Sequence, residues 1–547
     1  MWRPRQDSNL RSRLRRAVLY PLSYGGQARE SGRGALYQIL ARSGRTPDRI
    51  EGGGVHITCP SAEDGAGSGT VAVMSHMHVA GEIHAEVTSP APVWLTRPSD
   101  INALTPKLWS QTARRCDDGM LEIGGVRADD LVAETGTPVY VLDEADFRTR
   151  AAAWRDAFAG WTVYYAGKAF LSGTIARWVA EEGLSLDVCS LGELTVALRA
   201  GFDPARLGHH GNNKSEAELR LALTSGVGRI IVDSSDEISL LERLCEELDT
   251  TAKVMIRVTT GVEAHTHEYI ATAHEDQKFG FSIASGQALV GLFRCHHSPR
   301  LELLGVHSHI GSQIFDTHGF EVAARRTLKL FAQFKEAVGL NLPQLDLGGG
   351  FGIAYTKEDD PSTPELLADN LRDIVDHECR AYGLDLPELS LEPGRAIIGP
   401  AGTAIYRVGT VKPVDIGGGL TRRYLSTDGG MSDNVRPALY GAEYSASLAN
   451  RNSSAEPVVS RVVGVHCEGG DILVRDEFLP DDVAVGDLLA VPASGAYSRS
   501  MASNYNHTPR PPVVAVRDGR ITTVVRRETL DDVLALDAGL GGEDGNG

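Results

Sequence analysis

Lys168 is the residue with the most chemical promise, because it closes the short apolar run Trp161-Thr-Val-Tyr-Tyr-Ala-Gly-Lys168-Ala169. Val163, Tyr164 and Tyr165 favour a strand, and Gly167 allows a sharp turn before a helical stretch beginning at Leu171. A lysine there would stand at the rim of a barrel or the top of a parallel sheet, where α/β folds build their active sites. Partial desolvation would lower its pKa and let the amine attack an aldehyde. A solvated lysine after a strand looks the same in isolation, so the residues that follow decide. If Lys168 carries a cofactor aldehyde, Gly348-Gly349-Gly350 after the strand Leu345-Asp-Leu347 could cup its phosphate with backbone N–H groups, and Gly311-Ser312 adds a hydroxyl. In His307-Ser-His309 two histidines end a strand on the same face, and one could stack on a pyridine ring. A metal pair would lack a matching carboxylate set nearby. Glu392, in Leu391-Glu392-Pro393-Gly394-Arg395, could pair with a pyridinium and make it a better electron sink. Arg395 could take a phosphate or a carboxylate through its planar fork.

Eight apolar strands should position these groups: Val163–Ala166, Ser185–Val188, Arg206–His209, Arg229–Val232, Lys253–Val258, Leu303–Ser308, Gln344–Leu347 and Glu388–Leu391. Amphipathic segments lie between them, among them Gly192–Ala200, Glu216–Ser225, Glu237–Leu248, Phe320–Val338 and Pro364–Tyr382. The pattern predicts an α/β protein, a (β/α)8 TIM-like barrel over residues 145–400, close to the usual size of about 250 residues. Beyond Gly399, short β-branched runs separated by Gly, Asp and Pro predict an antiparallel β domain over 401–538: Thr403–Val411, Arg423–Thr427, Val458–His466, Leu488–Pro492, Val513–Arg517 and Arg520–Arg526. Strands within 116–144 are expected to join that sheet, which makes the β domain discontinuous. Residues 539–547 read as a flexible tail.

Composition sets the outer bounds. The chain has 547 residues, 42% hydrophobic and 23% charged, as a globular protein does. No apolar run approaches the roughly 20 residues that span a bilayer, so no membrane role is expected. A net charge of −18 disfavours nucleic acid as a partner. Seven scattered cysteines without CxxC spacing point to a reducing, cytoplasmic setting without disulfides or structural zinc. Residues 1–75 differ from the rest. Arg3, Arg5, Arg11, Arg13, Arg15 and Arg16 crowd the start, and Ala17-Val-Leu-Tyr20 stops at Pro21, too short for a secretory signal. The segment reads as a disordered tail or as an upstream start codon wrongly chosen, with Met74 or Met77 as the beginning.

YYAGKAF, HSHIGSQ, LDLGGGFG, LEPGR and VHCEGGD, in this order, resemble the alanine racemase-like (fold type III) decarboxylases that use pyridoxal 5'-phosphate. The resemblance runs from about residue 120 to about 535 and is strongest to the branch acting on meso-2,6-diaminopimelate, with long shared stretches such as Gly208–Ser215 and Gly261–Tyr269. It implies Lys168 as the cofactor-carrying lysine, His309 as the ring-stacking residue, Ser312 and Gly348–Gly350 at the phosphate, and Glu392 at the pyridine nitrogen within Glu392-Pro393-Gly394-Arg395. Arg395, Arg436, Tyr440 and Glu468 would bind substrate, Cys467 would donate the proton, and Tyr497 would touch phosphate and substrate. Cys467 and Glu468 would come from a neighbouring subunit, so the resemblance implies a homodimer with shared sites. The residues agree with this reading. Two arginines could take a distal carboxylate and Glu468 an ammonium, while a thiol beside Glu468 suits a proton donor. Three positions depart from the pattern: Gly469 where serine is more usual, a polar Ser498-Arg-Ser-Met501 after Tyr497, and a loop carrying His265, His267 and His274. Similarity makes that loop a mobile segment near the site rather than a metal centre. The expected activity is decarboxylation of meso-2,6-diaminopimelate to L-lysine, the last step of L-lysine biosynthesis. The alternative is a related decarboxylase of ornithine, arginine or D-lysine, whose cationic tails would call for an acidic pocket where Arg436 stands. A racemase would usually replace Glu392 with a weaker ring partner, and a relative without chemistry would have no use for Lys168 and Cys467.

Overall fold

A computed structural model of the chain describes residues 91–92, 94–261, 278–416 and 421–540. The arginine-rich segment with Met74 and Met77, the loop with His265, His267 and His274, and residues 541–547 lie outside the described residues.

Eight parallel strands close into a barrel: β1 Thr162–Ala166, β2 Ser185–Val188, β3 Leu207–His209, β4 Arg229–Val232, β5 Ala252–Thr259, β6 Leu301–Ser308, β7 Gln344–Asp346 and β8 Glu388–Leu391. Each pairs with the next, and β8 returns to β1 through Ser390↔Thr162 and Leu391↔Val163. The strands are short and covered on both faces, which is why their sequences read as apolar runs rather than as alternation. Several helices begin on a hydroxyl that caps them. Ser172, Ser190, Ser215, Ser234 and Thr363 each accept from the backbone N–H three residues on, satisfying donors a bare helix start would leave open, at about 1 kcal/mol apiece. Gly226, Gly339 and Gly383 end helices in the left-handed conformation. The helix after Lys168 starts at Gly173, not Leu171, because Gly167–Ala169 forms a 3-10 turn and Ser172 is the cap. The helix Gln287–His297 had no clear sequence signal: Gly286 opens it without a side-chain cap.

The second sheet is built on one long strand, Gly402–Asp415. It pairs antiparallel with Val139–Asp143, Leu488–Val491 and Thr421–Thr427. Most pairings are antiparallel, and two are parallel: Thr421–Thr427 with Pro457–Val463, and Val139–Asp143 with Val513–Arg517. Val139–Asp143 sits inside this sheet, so the β domain is assembled from both sides of the barrel sequence. Leu121–Ile123 does not join it. That strand forms a small meander with Arg114–Arg115 and Val126–Arg127, because Gly124 and Gly125, both at positive φ, turn the chain straight back on itself. The strand Ile472–Pro480, also unanticipated, completes the edge beside Pro457–Val463.

Candidate active site

The C-terminal ends of β1, β6, β7 and β8 meet one loop of the β domain around a narrow cleft. Its lining includes Lys168, His309, Gly311, Ser312, Gly349, Gly350, Glu392, Gly394, Arg395 and Tyr497. Residues from five distant stretches of sequence thus reach one place, as the strand order requires.

Lys168 stands in the 3-10 turn after β1 and opens into the cleft. A side chain at Gly167 would come within 2.7 Å of the Asp187 carbonyl, so the turn can pass β2 only with glycine there. The β-domain loop is pinned to the same turn: Tyr497 N–H and the Ser500 hydroxyl both donate to the Ala169 carbonyl at 2.9 Å. Tyr497 holds a left-handed backbone, φ 60°, a costly conformation kept at the cleft wall. The expected lowering of the lysine pKa is not what the surroundings produce. Burial opposes its charge, but Tyr497, Cys189 and Glu392 outweigh burial and raise it above the ordinary value.

The three glycines of the loop after β7 are wedged between backbones rather than idle in a flexible turn. A Cβ on Gly348 would meet the Ser308 carbonyl at 2.3 Å, on Gly349 the Glu392 carbonyl at 2.3 Å, and on Gly350 the Gly311 carbonyl at 2.5 Å. Gly348 spends its N–H on Asp346 Oδ1, 2.7 Å away, and neither it nor Pro393 lines the cleft. Gly349 N–H donates to His309 Nδ1 at 3.3 Å, which places any proton of a neutral ring on Nε2. Burial, with Lys168 and Arg257 nearby, drives the His309 pKa far below its ordinary value, so the ring is neutral.

Arg395 donates to the Ser312 hydroxyl at 2.7 Å and to the Tyr355 hydroxyl at 2.6 Å. Its guanidinium carbon lies 4.7 Å from the Tyr497 ring centre. Arg436, at the start of the short helix Arg436–Tyr440, is buried, lies 4.5 Å from the Tyr355 ring centre and donates to Tyr444. Tyr355 therefore links the two arginines, a role with no sequence motif to announce it. Tyr440 ends that helix half-buried. Cys467 and Glu468 lie elsewhere, exposed on the turn between Pro457–Val463 and Ile472–Pro480, and do not line this chain's cleft. Asp471 staples that turn by accepting from His466 N–H at 2.7 Å and Met431 N–H at 2.6 Å.

His307 turns away from the cleft, its Nε2 3.1 Å from Glu392 Oε1. His210, unremarked in the sequence, brings its Nε2 to 3.3 Å from the same oxygen. A carboxylate thus does lie beside the histidines, contrary to the expectation from local spacing, because β8 supplies it across the barrel. A larger cavity of about 270 Å³ shares Phe351 with the cleft but none of its chemical groups beyond that ring.

A parallel barrel with a lysine at the end of β1, a glycine cup after β7 and a buried carboxylate after β8 has the architecture of a pyridoxal-dependent decarboxylase. The family described as the pyridoxal-dependent decarboxylase pyridoxal binding domain matches residues 144–399. The chain is 51% identical over 439 residues to the diaminopimelate decarboxylase of Mycobacterium tuberculosis (strain H37Rv), covering 79% of this chain and 98% of that one. It is 48% identical over 430 residues to that of Bacillus subtilis (strain 168), covering 78% and 97%. The crystal structure of the diaminopimelate decarboxylase from M. jannaschii in co-complex with L-lysine superposes with a TM-score of 0.73 at 31% identity, over 79% of this chain and 98% of that chain. The chain belongs to the diaminopimelate decarboxylase family.

Proposed function

We propose that this enzyme, a carboxy-lyase, converts meso-2,6-diaminopimelate to L-lysine and carbon dioxide with pyridoxal 5'-phosphate as its cofactor. The residues fit such a cofactor. Glu392, buried, presents its side chain among the groups lining the cleft, and the glycine loop is a cradle that any Cβ would fill. Lys168 would hold the aldehyde carbon, the neutral face of His309 the ring, Glu392 the ring nitrogen, and Gly349, Gly350, Ser312 and Tyr497 the phosphate. When bound, the cofactor supplies the electron sink for the carbanion left as carbon dioxide departs. The chain does the rest. Glu392 would keep a proton on a ring nitrogen placed before it, Lys168 would supply the amine that tethers the cofactor, and the barrel mouth would orient the reacting carboxylate and exclude water.

The substrate reading is carried by one observation: Arg395 and Arg436, both buried, converge on Tyr355 with guanidinium carbons 5.7 and 4.5 Å from its ring centre. Two guanidiniums suit a substrate with a second carboxylate and repel the bare ammonium tail of ornithine, arginine or D-lysine. Cys467 protonates the product carbon and Glu468 holds the distal ammonium. Their exposure here supports the reading that they serve the site of a second copy, with a homodimer as the working unit. Cys116, Cys189, Cys245, Cys295, Cys379 and Cys467 are unpaired, which suits the reducing cytoplasm. Among the described residues no helix is long and apolar enough to cross a membrane. Carbon dioxide release from meso-diaminopimelate, ornithine, arginine and D-lysine, measured side by side, tests the assignment. Release from one of the last three but not from the first overturns it.

A further inference from the structure

Behind Glu392 lies a chain of buried polar groups that the proposed reaction leaves unused. His210 and His307 meet edge to face, ring centres 5.0 Å apart, and both press Nε2 on Glu392 Oε1. His210 Nε2 is also hydrogen-bonded, at 3.1 Å, to Asp187 Oδ1 on β2. Arg229 on β4 approaches that oxygen at 3.9 Å, lies 3.7 Å from the Tyr164 ring centre and pairs with Asp346 on β7. Gly208, in register with Asp187 across β2 and β3, makes the room: a Cβ there would come 2.4 Å from Asp187 Oδ1. Asp187, His210, Arg229, His307, Asp346 and Glu392 are all buried.

The donors do not suffice for three carboxylates. Asp346 takes Arg229, the Ser390 hydroxyl at 2.7 Å and Gly348 N–H at 2.7 Å. One imidazole nitrogen, that of His210, stands between Asp187 and Glu392, and Asp187 Oδ2 has no hydrogen-bond partner. A buried carboxylate so poorly served is held as the neutral acid. Burial and then Glu392 push the Asp187 acid far above the carboxylate range. Burial and Asp346 also oppose ionisation of Glu392, yet His307 and His210 outweigh them and hold it below its ordinary value.

We propose that His210, oriented by Asp187, is a positioning residue for Glu392: with His307 it keeps the carboxylate ionised and aimed into the cleft, so that Glu392 can hold a proton on a pyridine nitrogen. This rests on the reading that Glu392 meets the cofactor ring, and the test separates the two. The groups facing His210 are Asp187 from β2, Arg229 from β4, Arg257 from β5, His307 from β6 and Glu392 from β8.

The cofactor-loaded enzyme is compared as wild type, His210→Phe, His210→Gln, Glu392→Gln and the double variant His210→Phe/Glu392→Gln. The readouts are kcat and KM for meso-diaminopimelate and the visible absorbance of the loaded protein titrated with pH. Removing one of the two polar neighbours of a buried charge predicts a kcat lower by about tenfold to a hundredfold for His210→Phe, with KM within about twofold. The absorbance titration should shift in the same direction as for Glu392→Gln. His210→Gln, which keeps a side-chain N–H, should restore most of both, and the double variant should match Glu392→Gln alone. An unchanged titration and kcat for His210→Phe, or additive losses in the double variant, overturn the proposal. If Glu392→Gln itself leaves both readouts unmoved, the reading of Glu392 fails instead. Thermal unfolding of the cofactor-free proteins reports folding. Should His210→Phe not fold, His210→Asn, polar but too short to reach Glu392, must give the same shift, and its failure to do so sinks the proposal.

Discussion

Two side chains have separable duties, and their substitutions should separate them. Lys168→Ala removes the amine that would anchor the cofactor, so turnover is expected to vanish, and borohydride should no longer fix the cofactor to the chain. Cys467→Ala removes only the proposed proton donor, on an exposed turn that does not line this chain's own cleft. It should slow kcat by roughly a hundredfold to ten-thousandfold while the visible absorbance of the bound cofactor stays as it was. Loss of the cofactor from Cys467→Ala would show that its role is structural. Motif order made Lys168, Glu392 and Arg395 legible before any coordinates. Tyr355, His210 and Asp187 were not, since nothing near them in sequence hints at the groups they meet across the barrel.

At the level of elements, two connections control the site. Gly349 runs 2.3 Å, measured from a hypothetical Cβ, from the Glu392 carbonyl. Gly349→Ala must therefore push the loops after β7 and β8 apart, and it should weaken retention of the cofactor by at least tenfold, read by dialysis against buffer, before it unfolds the barrel. The second connection is the turn before Arg436. Asp433 accepts from Gly430 N–H at 3.0 Å and from the Ser432 hydroxyl at 3.3 Å, yet burial raises its pKa to about 7. A carboxyl whose folded pKa exceeds the unfolded value of about 3.9 binds more protons when folded. Its contribution is complete below the unfolded value and is lost as pH rises toward about 7. Asp433→Asn should flatten the fall of melting temperature between these pH values. An unchanged slope would mean that Asp433 is ionised throughout. These elements were mostly readable. Strands betray themselves by apolar runs and helices by serine caps, whereas Gln287–His297 lacks a side-chain cap and the strand Ile472–Pro480 carries Arg475, Asp476 and Glu477 in its middle.

At the level of the whole molecule, the proposed sharing of each site between two copies makes a prediction no single chain can satisfy. Lys168→Ala and Cys467→Ala, each crippled alone, should recover activity when unfolded together and refolded. Half the resulting dimers are mixed and each mixed dimer has one intact site of two, so about a quarter of wild-type activity is expected. Recovery absent under conditions where the wild type refolds would place Cys467 in its own chain's site. The amino-acid sequence by itself determined the barrel, the β domain interrupted by it, the place of Lys168 at the barrel rim and the class of chemistry, because strand periodicity, caps and short motifs are local properties written residue by residue. Only the tertiary structure decided that β2, β3, β6 and β8 deliver Asp187, His210, His307 and Glu392 to one buried point, and that Cys467 faces outward. Barrel closure sets those distances, through register between strands as far apart in sequence as Thr162 and Ser390, and no local pattern encodes a register.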